Sequence, residues 1–112
     1  MELSIENLDK GSWTLIDVGG ELDLFTAPNL REMLIQADDR VQPLLVIDLD
    51  DVTFMDSTGL GVLIGGLRRA RERSAEMVLV CTSRPVLRVL EITGLHHVFT
   101  IHASITEAST AG

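Results

Sequence analysis

The polar segment Asp56-Ser57-Thr58-Gly59 brings a carboxylate and two hydroxyls together at the predicted start of a helix. In parallel α/β sheets, the carboxyl ends of strands and the helix N-termini that follow them form the usual binding surface. One interpretation is structural, in which Asp56 or Ser57 caps the helix by accepting hydrogen bonds from backbone N–H groups. Two hydroxyls and a carboxylate exceed what one cap requires, so the segment is also a candidate functional site.

Phosphate-binding and dinucleotide-binding motifs do not fit the sequence. A P-loop needs Gly-Lys-Ser/Thr between a strand and a helix, but Lys10, the single lysine, precedes Gly11 in a predicted turn. The glycine-rich stretch 59–66 does not match the dinucleotide spacing and lies inside a predicted helix rather than ahead of one. We therefore expect no bound cofactor.

Metal ligation and nucleophilic catalysis also lack the residues they need. His96 and His97 are adjacent, so on a strand they would point to opposite faces, and His102 has no spaced partner. Cys81 lies in an apolar segment, which is typical of an inert core residue. No Ser/His/Asp arrangement can be assembled from the sequence, and we expect no metal and no enzymatic activity.

A receiver-type phosphoaspartate domain is a sharper alternative, because it is also a small parallel α/β domain. Asp50, Asp51 and Asp56 supply acidic residues near a predicted strand end. That chemistry needs Mg²⁺ and, in the usual pattern of receiver domains, a lysine on the last strand. No lysine follows Lys10, so the sequence argues against this function.

Alternating strands and helices must position the candidate site. Strands are predicted at residues 3–8, 13–18, 44–47, 77–81 and 98–101, the first two joined by a turn at 9–11. The continuous apolar run 44–47 is typical of a central strand covered on both faces. The later β-α-β-α-β order predicts parallel strands with right-handed crossovers. We expect one α/β domain, 1–112, with a mixed, mostly parallel sheet flanked by helices.

Three helices are predicted from their caps and apolar periodicity. The first begins near Thr26, whose hydroxyl can cap it, with Pro28 in its first turn. The second runs from about Ser57 to Arg73, and the third is opened by Ser83 and Pro85 and ends at Gly94. The second helix is expected to bury an apolar stripe consisting of Leu60, Leu63, Ile64 and Leu67.

Composition limits the class of protein and its partners. The 112 residues are 46% hydrophobic, which suits one folded domain. A formal net charge of −8 argues against nucleic acid or an anionic membrane as a partner. The acidic N-terminus lacks signal-peptide features, and no apolar run reaches the roughly 20 residues that span a bilayer. The sequence predicts a soluble, cytoplasmic domain.

Four arginines, at positions 68, 69, 71 and 73, lie close together near the predicted end of the second helix. Cations there are favoured by the helix dipole, which explains the cluster without any partner. Binding of an acidic partner is the alternative interpretation.

Two segments resemble the signature segments of STAS-domain anti-sigma factor antagonists, the anti-anti-sigma factors of bacterial sporulation and general stress responses. They are Gly20-Glu21-Leu22-Asp23, followed by Thr26-Ala27, and Phe54-Met55-Asp56-Ser57-Thr58-Gly59-Leu60-Gly61. The likeness continues through Ser83-Arg84-Pro85 and Gly94-Leu95. It departs at the C-terminus, where members usually have a longer amphipathic helix, so we expect residues 103–112 to be a truncated or frayed helix.

The resemblance implies a regulatory switch. Ser57, directly after the aspartate, would be phosphorylated by an anti-sigma factor with ATP-dependent serine kinase activity, and a serine/threonine phosphatase would reverse the modification. The unmodified form would bind the anti-sigma factor and free a sigma factor. The implied partner-binding residues are Leu22, Asp23, Asp56, Thr58, Gly59, Leu60 and Gly61. Because Asp23 is expected in a loop, its replacement should cost little stability. The alternative is a STAS-like scaffold or a sensor of small anions or nucleotides, in which Ser57 is only a cap.

Overall fold

A computed structural model describes residues 3–39 and 42–110, and within them one five-stranded sheet has its strands in chain order. Strand β1 pairs with β2 in antiparallel orientation, and the remaining neighbours are parallel. The bounds are β1 Leu3–Asp9, β2 Thr14–Leu22, β3 Leu44–Met55, β4 Glu76–Val80 and β5 Ile101–His102. The predicted mixed, mostly parallel sheet is confirmed.

Three helices cover one face of the sheet and a fourth lies on the other. Their bounds are α1 Ala27–Asp38, α2 Ser57–Glu72, α3 Arg84–Ile92 and α4 Ile105–Thr110. The main core lies between the sheet and α1 to α3, and its fully buried members include Leu34, Leu63 and Leu90. Among the described helices, none is long and apolar enough to cross a membrane.

The short helix α4 occupies part of the segment predicted to be frayed. Ala108 of α4 packs into a second apolar cluster on the opposite sheet face, together with Val46 and Val78. Residues 111 and 112 lie outside the described part of the chain, and fraying of the segment 103–112 stays a prediction.

Strands β3 and β5 differ from the prediction. Strand β3 continues well past the apolar run 44–47, so Asp50 and Asp51 lie within the strand rather than at its end. The predicted strand 98–101 is wrong over most of its length. Gly94 has φ +74° and leads into a 3₁₀ turn at residues 95–97, and β5 begins only at Ile101.

The buried face of α2 is narrower than the predicted stripe. Leu60, Leu63 and Leu67 are buried as expected, but Ile64 is 38% exposed, so its placement in the core was wrong. Gly66 lies against the neighbouring elements instead. A Cβ at Gly66 would be 3.0 Å from Leu34 Cδ1, which shows how closely α2 packs on α1.

Carboxylates form a row across the sheet face opposite α1 to α3. The strand register places Glu6 beside Asp17 and Asp17 beside Asp48. Burial, followed by repulsion from neighbouring carboxylates, raises the pKa of Asp17 above its ordinary value. Burial is also the main cause that raises the pKa of Asp48, with Asp50, Asp17 and Asp51 adding to it. We call Glu6, Asp17 and Asp48 the acidic row.

Candidate functional site

The carboxyl ends of β2 and β3 lie side by side and bring the two signature segments together. Leu22 is in register with Met55, and the Asp56 N–H donates to the Leu22 carbonyl at 3.1 Å. Gly59, in the first turn of α2, lies directly against Leu22: a Cβ at this position would be 2.7 Å from Leu22 Cγ and 3.0 Å from the Leu22 oxygen. Since real side chains do not approach so closely, this contact requires glycine.

The Asp56 carboxylate joins the start of α2 to the loop after β2. Its Oδ1 accepts hydrogen bonds from the Thr58 N–H at 2.9 Å and the Gly59 N–H at 3.1 Å, which makes Asp56 the N-cap of α2. Its Oδ2 accepts from the Leu24 N–H at 3.1 Å. One carboxylate therefore both caps the helix and holds the loop of residues 23–26 beside it.

The side chains of Asp23 and Thr26 stabilise that loop through hydrogen bonds to its own backbone and to the end of β2. Asp23 Oδ1 accepts hydrogen bonds from the Phe25 N–H at 2.9 Å and the Thr26 N–H at 3.1 Å. The Thr26 hydroxyl accepts from the Asp23 N–H at 2.9 Å and donates to the Glu21 carbonyl at 2.7 Å. Thr26 precedes α1 as predicted, but its hydroxyl makes no capping bond to the helix.

Ser57 is the accessible hydroxyl of the site. It is the first residue of α2 and is exposed, and its side chain makes no hydrogen bond to any described residue. Thr58 is half-buried. The neighbouring loop presents two exposed apolar side chains, with Leu24 62% exposed and Phe25 80% exposed. An exposed hydroxyl thus lies beside an apolar surface.

Comparisons with known proteins show the family of this chain. The family model for the STAS domain matches residues 4–108. The chain belongs to the STAS domain family. It is 40% identical over 102 residues to the anti-sigma-B factor antagonist of Listeria monocytogenes, covering 90% of each protein.

Solved STAS structures share the fold over nearly the whole chain. A crystal structure of an anti-sigma factor antagonist from Mycobacterium paratuberculosis superposes with a TM-score of 0.90 and 27% identity, covering 98% of this chain and 93% of that one. The anti-sigma factor antagonist SpoIIAA in its unphosphorylated form gives a TM-score of 0.83 at 22% identity, covering 96% of this chain and 95% of that one, a likeness of fold alone.

Several of the residues expected to contact a partner are buried in this STAS domain. Leu22 is fully buried and Leu60 is 6% exposed, so their side chains belong to the core, and Gly59 is covered by Leu22. Asp23 lies in the loop as expected but is only 5% exposed, which argues against the small stability cost expected of its replacement. Its Oδ2 is buried without a hydrogen-bond partner among the described residues.

Other expected site residues are accessible. Gly61 is exposed on α2, and Asp56 is half-buried. Leu24 and Phe25 were not among the residues expected to contact a partner, and neither was Phe54, which belongs to the second signature segment and is 46% exposed. The signal was present in the sequence, since Leu24 and Phe25 follow directly after the signature aspartate.

The remaining candidate groups lie outside this site. Cys81 is buried, and its burial raises the pKa of the thiol to about 11, which keeps it protonated at neutral pH. The rings of His96 and His97 contact each other, with centroids 3.9 Å apart. Within residues 3–39 and 42–110, no group of three or more His, Cys, Asp or Glu side chains could hold a metal ion.

Proposed function

We propose that this STAS domain is a phosphorylation-controlled anti-sigma factor antagonist. The observation that carries the proposal is the exposed, unbonded Ser57 hydroxyl, held beside the exposed Leu24 and Phe25 by the Asp56 carboxylate. The similarity to a curated anti-sigma-B factor antagonist supports it. In its unmodified form the protein binds an anti-sigma factor with serine kinase activity, which releases a sigma factor.

The partner-binding surface combines polar and apolar groups. The start of α2 supplies Asp56, Thr58 and Gly61 to this surface. The loop after β2 supplies the apolar side chains of Leu24 and Phe25. The buried residues of the signature, Leu22, Asp23, Gly59 and Leu60, act by positioning: they fix the distance between α2 and the loop, and they do not reach the partner themselves.

Phosphorylation of Ser57 turns this binding off through charge. A phosphate adds about −1.5 to −2 charge at pH 7 and three acceptor oxygens. The first-turn N–H groups of Thr58 and Gly59, which would otherwise receive an anion, already donate to Asp56. The phosphate therefore lies next to a carboxylate and repels it, which weakens the Asp56 bond to Leu24 and displaces the apolar loop.

The proposed function also includes dephosphorylation of Ser57 and excludes catalysis. A serine/threonine phosphatase removes the phosphate and restores binding. The domain acts by binding rather than by catalysis, in the cytoplasm where sigma factors work. A net charge of −8 disfavours direct contact with nucleic acid or an anionic membrane.

Phosphate mapping tests the proposal. The protein is incubated with Mg²⁺-ATP and an extract of its own cells, and modified residues are located by mass spectrometry. We expect one phosphate, on Ser57, and none in Ser57→Ala. Phosphate on Thr58 in the wild-type protein would contradict the assignment of Ser57. A protein that stays unmodified while binding a small anion or nucleotide would support the sensor function instead.

Amide chemical shifts test how the switch works. Phosphorylated protein should differ from the unmodified form around residues 20–27 and in the first turn of α2, while β4 and β5 stay unchanged. Ser57→Asp should reproduce this pattern only in part, because it supplies one charge on a shorter side chain. Equally large shifts in β4 and β5 would rule out a switch confined to the site.

A further inference from the structure

A groove between α1 and α2 begins next to the phosphorylation site. The groove encloses about 360 Å³. The residues that line it include Arg31, Thr58, Gly61, Gly65, Arg68 and Arg69. We call it the arginine groove. Thr58 directly follows Ser57, and the eleven helical steps from Thr58 to Arg69 extend about 16 Å along the helix axis at 1.5 Å per residue.

Two of the three arginines have no counter-charge within hydrogen-bonding reach among the described residues. Arg69 Nε donates to Asp38 Oδ2 at 2.9 Å, and Arg73 Nε lies 3.4 Å from Asp38 Oδ1, so the single carboxylate of Asp38 faces two guanidinium groups. Arg31 and Arg68 are exposed and form no ion pair or hydrogen bond with any described residue. The groove therefore carries local positive charge in a chain of net charge −8.

The helix dipole does not explain this arrangement. The dipole favours cations in the last turn of a helix, which accounts for Arg69 and Arg71 on α2. Arg31 comes from a different helix, in the second turn of α1, where the dipole offers a cation no stabilisation. Two elements thus direct unpaired guanidinium groups to one groove.

Gly61 leaves part of the α2 side of the groove open. A Cβ at Gly61 would have no neighbouring atom within 4 Å, so a partner chain can approach the helix backbone there. At Gly65 the corresponding Cβ would be 3.3 Å from Arg69 Nη1, which places this guanidinium over the glycine. An extended segment of about five residues, at roughly 3.3 Å each, matches the length of the groove.

We infer that the arginine groove docks an acidic segment of the protein that phosphorylates Ser57. This inference rests on the proposed function and adds the chemistry of the partner to it. Guanidinium groups bind carboxylates in bidentate geometry, and complementary charge at an interface raises the association rate. The rest of this acidic chain repels an acidic segment, whereas the groove attracts it. The segment therefore binds between α1 and α2, close to Ser57.

Charge reversal tests the groove in the phosphorylation assay. Arg31→Glu/Arg68→Glu is compared with Arg84→Glu/Arg88→Glu, a control that reverses two exposed arginines on α3 and changes the net charge equally. We expect the initial rate of Ser57 phosphorylation in cell extract to fall at least tenfold in the first variant and less than twofold in the control. Thermal unfolding of both proteins verifies that each is folded.

A binding experiment tests the same groove without the kinase. Hexaglutamate peptide is titrated into ¹⁵N-labelled protein, with ATP and inorganic triphosphate as separate titrants. Hexaglutamate should shift the amides of Gly61, Gly65 and Arg68, and Arg31→Glu/Arg68→Glu should abolish these shifts. If triphosphate or ATP moves the same amides at lower concentration than hexaglutamate, the groove is a small-anion site and the inference is overturned.

The outcomes separate the inference from the proposed function. A wild-type protein that is not modified at Ser57 contradicts the proposed function. Modification of Ser57 at equal rates in both charge-reversal variants contradicts the arginine groove alone and leaves the proposed function standing.

Discussion

Gly59 and Gly61 lie two residues apart in α2 but meet opposite surroundings, and alanine substitution should separate them. At Gly59 a Cβ would be 2.7 Å from Leu22 Cγ and 3.0 Å from the Leu22 carbonyl oxygen. Leu22 is fully buried and cannot move aside freely. At Gly61 no atom lies within 4 Å of the new methyl group, so only helix propensity changes.

The expected effects have opposite signs. Overpacking at Gly59 costs about 1–3 kcal/mol, and a gain in helix propensity of up to about 1 kcal/mol offsets part of it. Gly59→Ala should therefore lower the free energy of unfolding by about 1–2 kcal/mol. Gly61→Ala should raise it by up to about 1 kcal/mol. The two variants should differ by about 1–3 kcal/mol, which is the overpacking cost alone, because the gain in helix propensity is common to both.

Urea denaturation followed by far-ultraviolet circular dichroism measures both variants under the same conditions. The perturbation should also reach the site, because Gly59 sets the distance between α2 and the loop that begins after Leu22. We expect a lower rate of Ser57 phosphorylation in Gly59→Ala. Equal unfolding free energies for Gly59→Ala and Gly61→Ala would refute the close contact between Gly59 and Leu22.

Three further predictions concern stability, each measured by chemical denaturation. Leu63→Ala should cost about 2–5 kcal/mol through lost burial and a cavity, whereas Ile64→Ala should cost less than half as much, since Ile64 is 38% exposed; equal losses would contradict the burial pattern. Asp23→Ala should cost about 1–3 kcal/mol, because the N–H groups of Phe25 and Thr26 lose their acceptor, and wild-type stability would disprove this role. The pKa of Asp48 is raised above its ordinary 3.8, so the folded state binds protons more readily than the unfolded state and stability falls as pH rises through the raised pKa. Asp48→Asn should stabilise the protein by about 0.2–1 kcal/mol at pH 7 and flatten this pH dependence; an unchanged pH profile would count against it.

Most helices and strands of the fold could be predicted from local patterns in the sequence. The apolar run at 44–47, the stop at Gly94 and the polar segment at 56–59 each depend on neighbouring residues, and the corresponding elements are present. The end of β3 could not be predicted in this way. Its later half pairs with β2 in a register that shifts between residues 17 and 21, and such pairing involves residues far apart in sequence.

The two signature segments could be located in the sequence, but the burial of their side chains could not be predicted. The resemblance directed attention to Ser57, and the structure places this residue at the surface. Which signature residues face solvent depends on how α2 meets the loop after β2. Leu22 and Asp23 are buried because Gly59 and the loop's own N–H groups close over them, and this three-dimensional contact has no periodic signal in the sequence.

The acidic row also affects how copies of this protein meet one another. Two sheets can associate face to face when their faces carry exposed apolar side chains. Here Glu6, Asp17 and Asp48 bring like charges to that face, so two copies stacked face to face would oppose one carboxylate row with another. The protection depends on ionisation. Because the pKa values of Asp17 and Asp48 are raised, acidification discharges them sooner than ordinary aspartates, and aggregation through this face becomes easier as the pH falls.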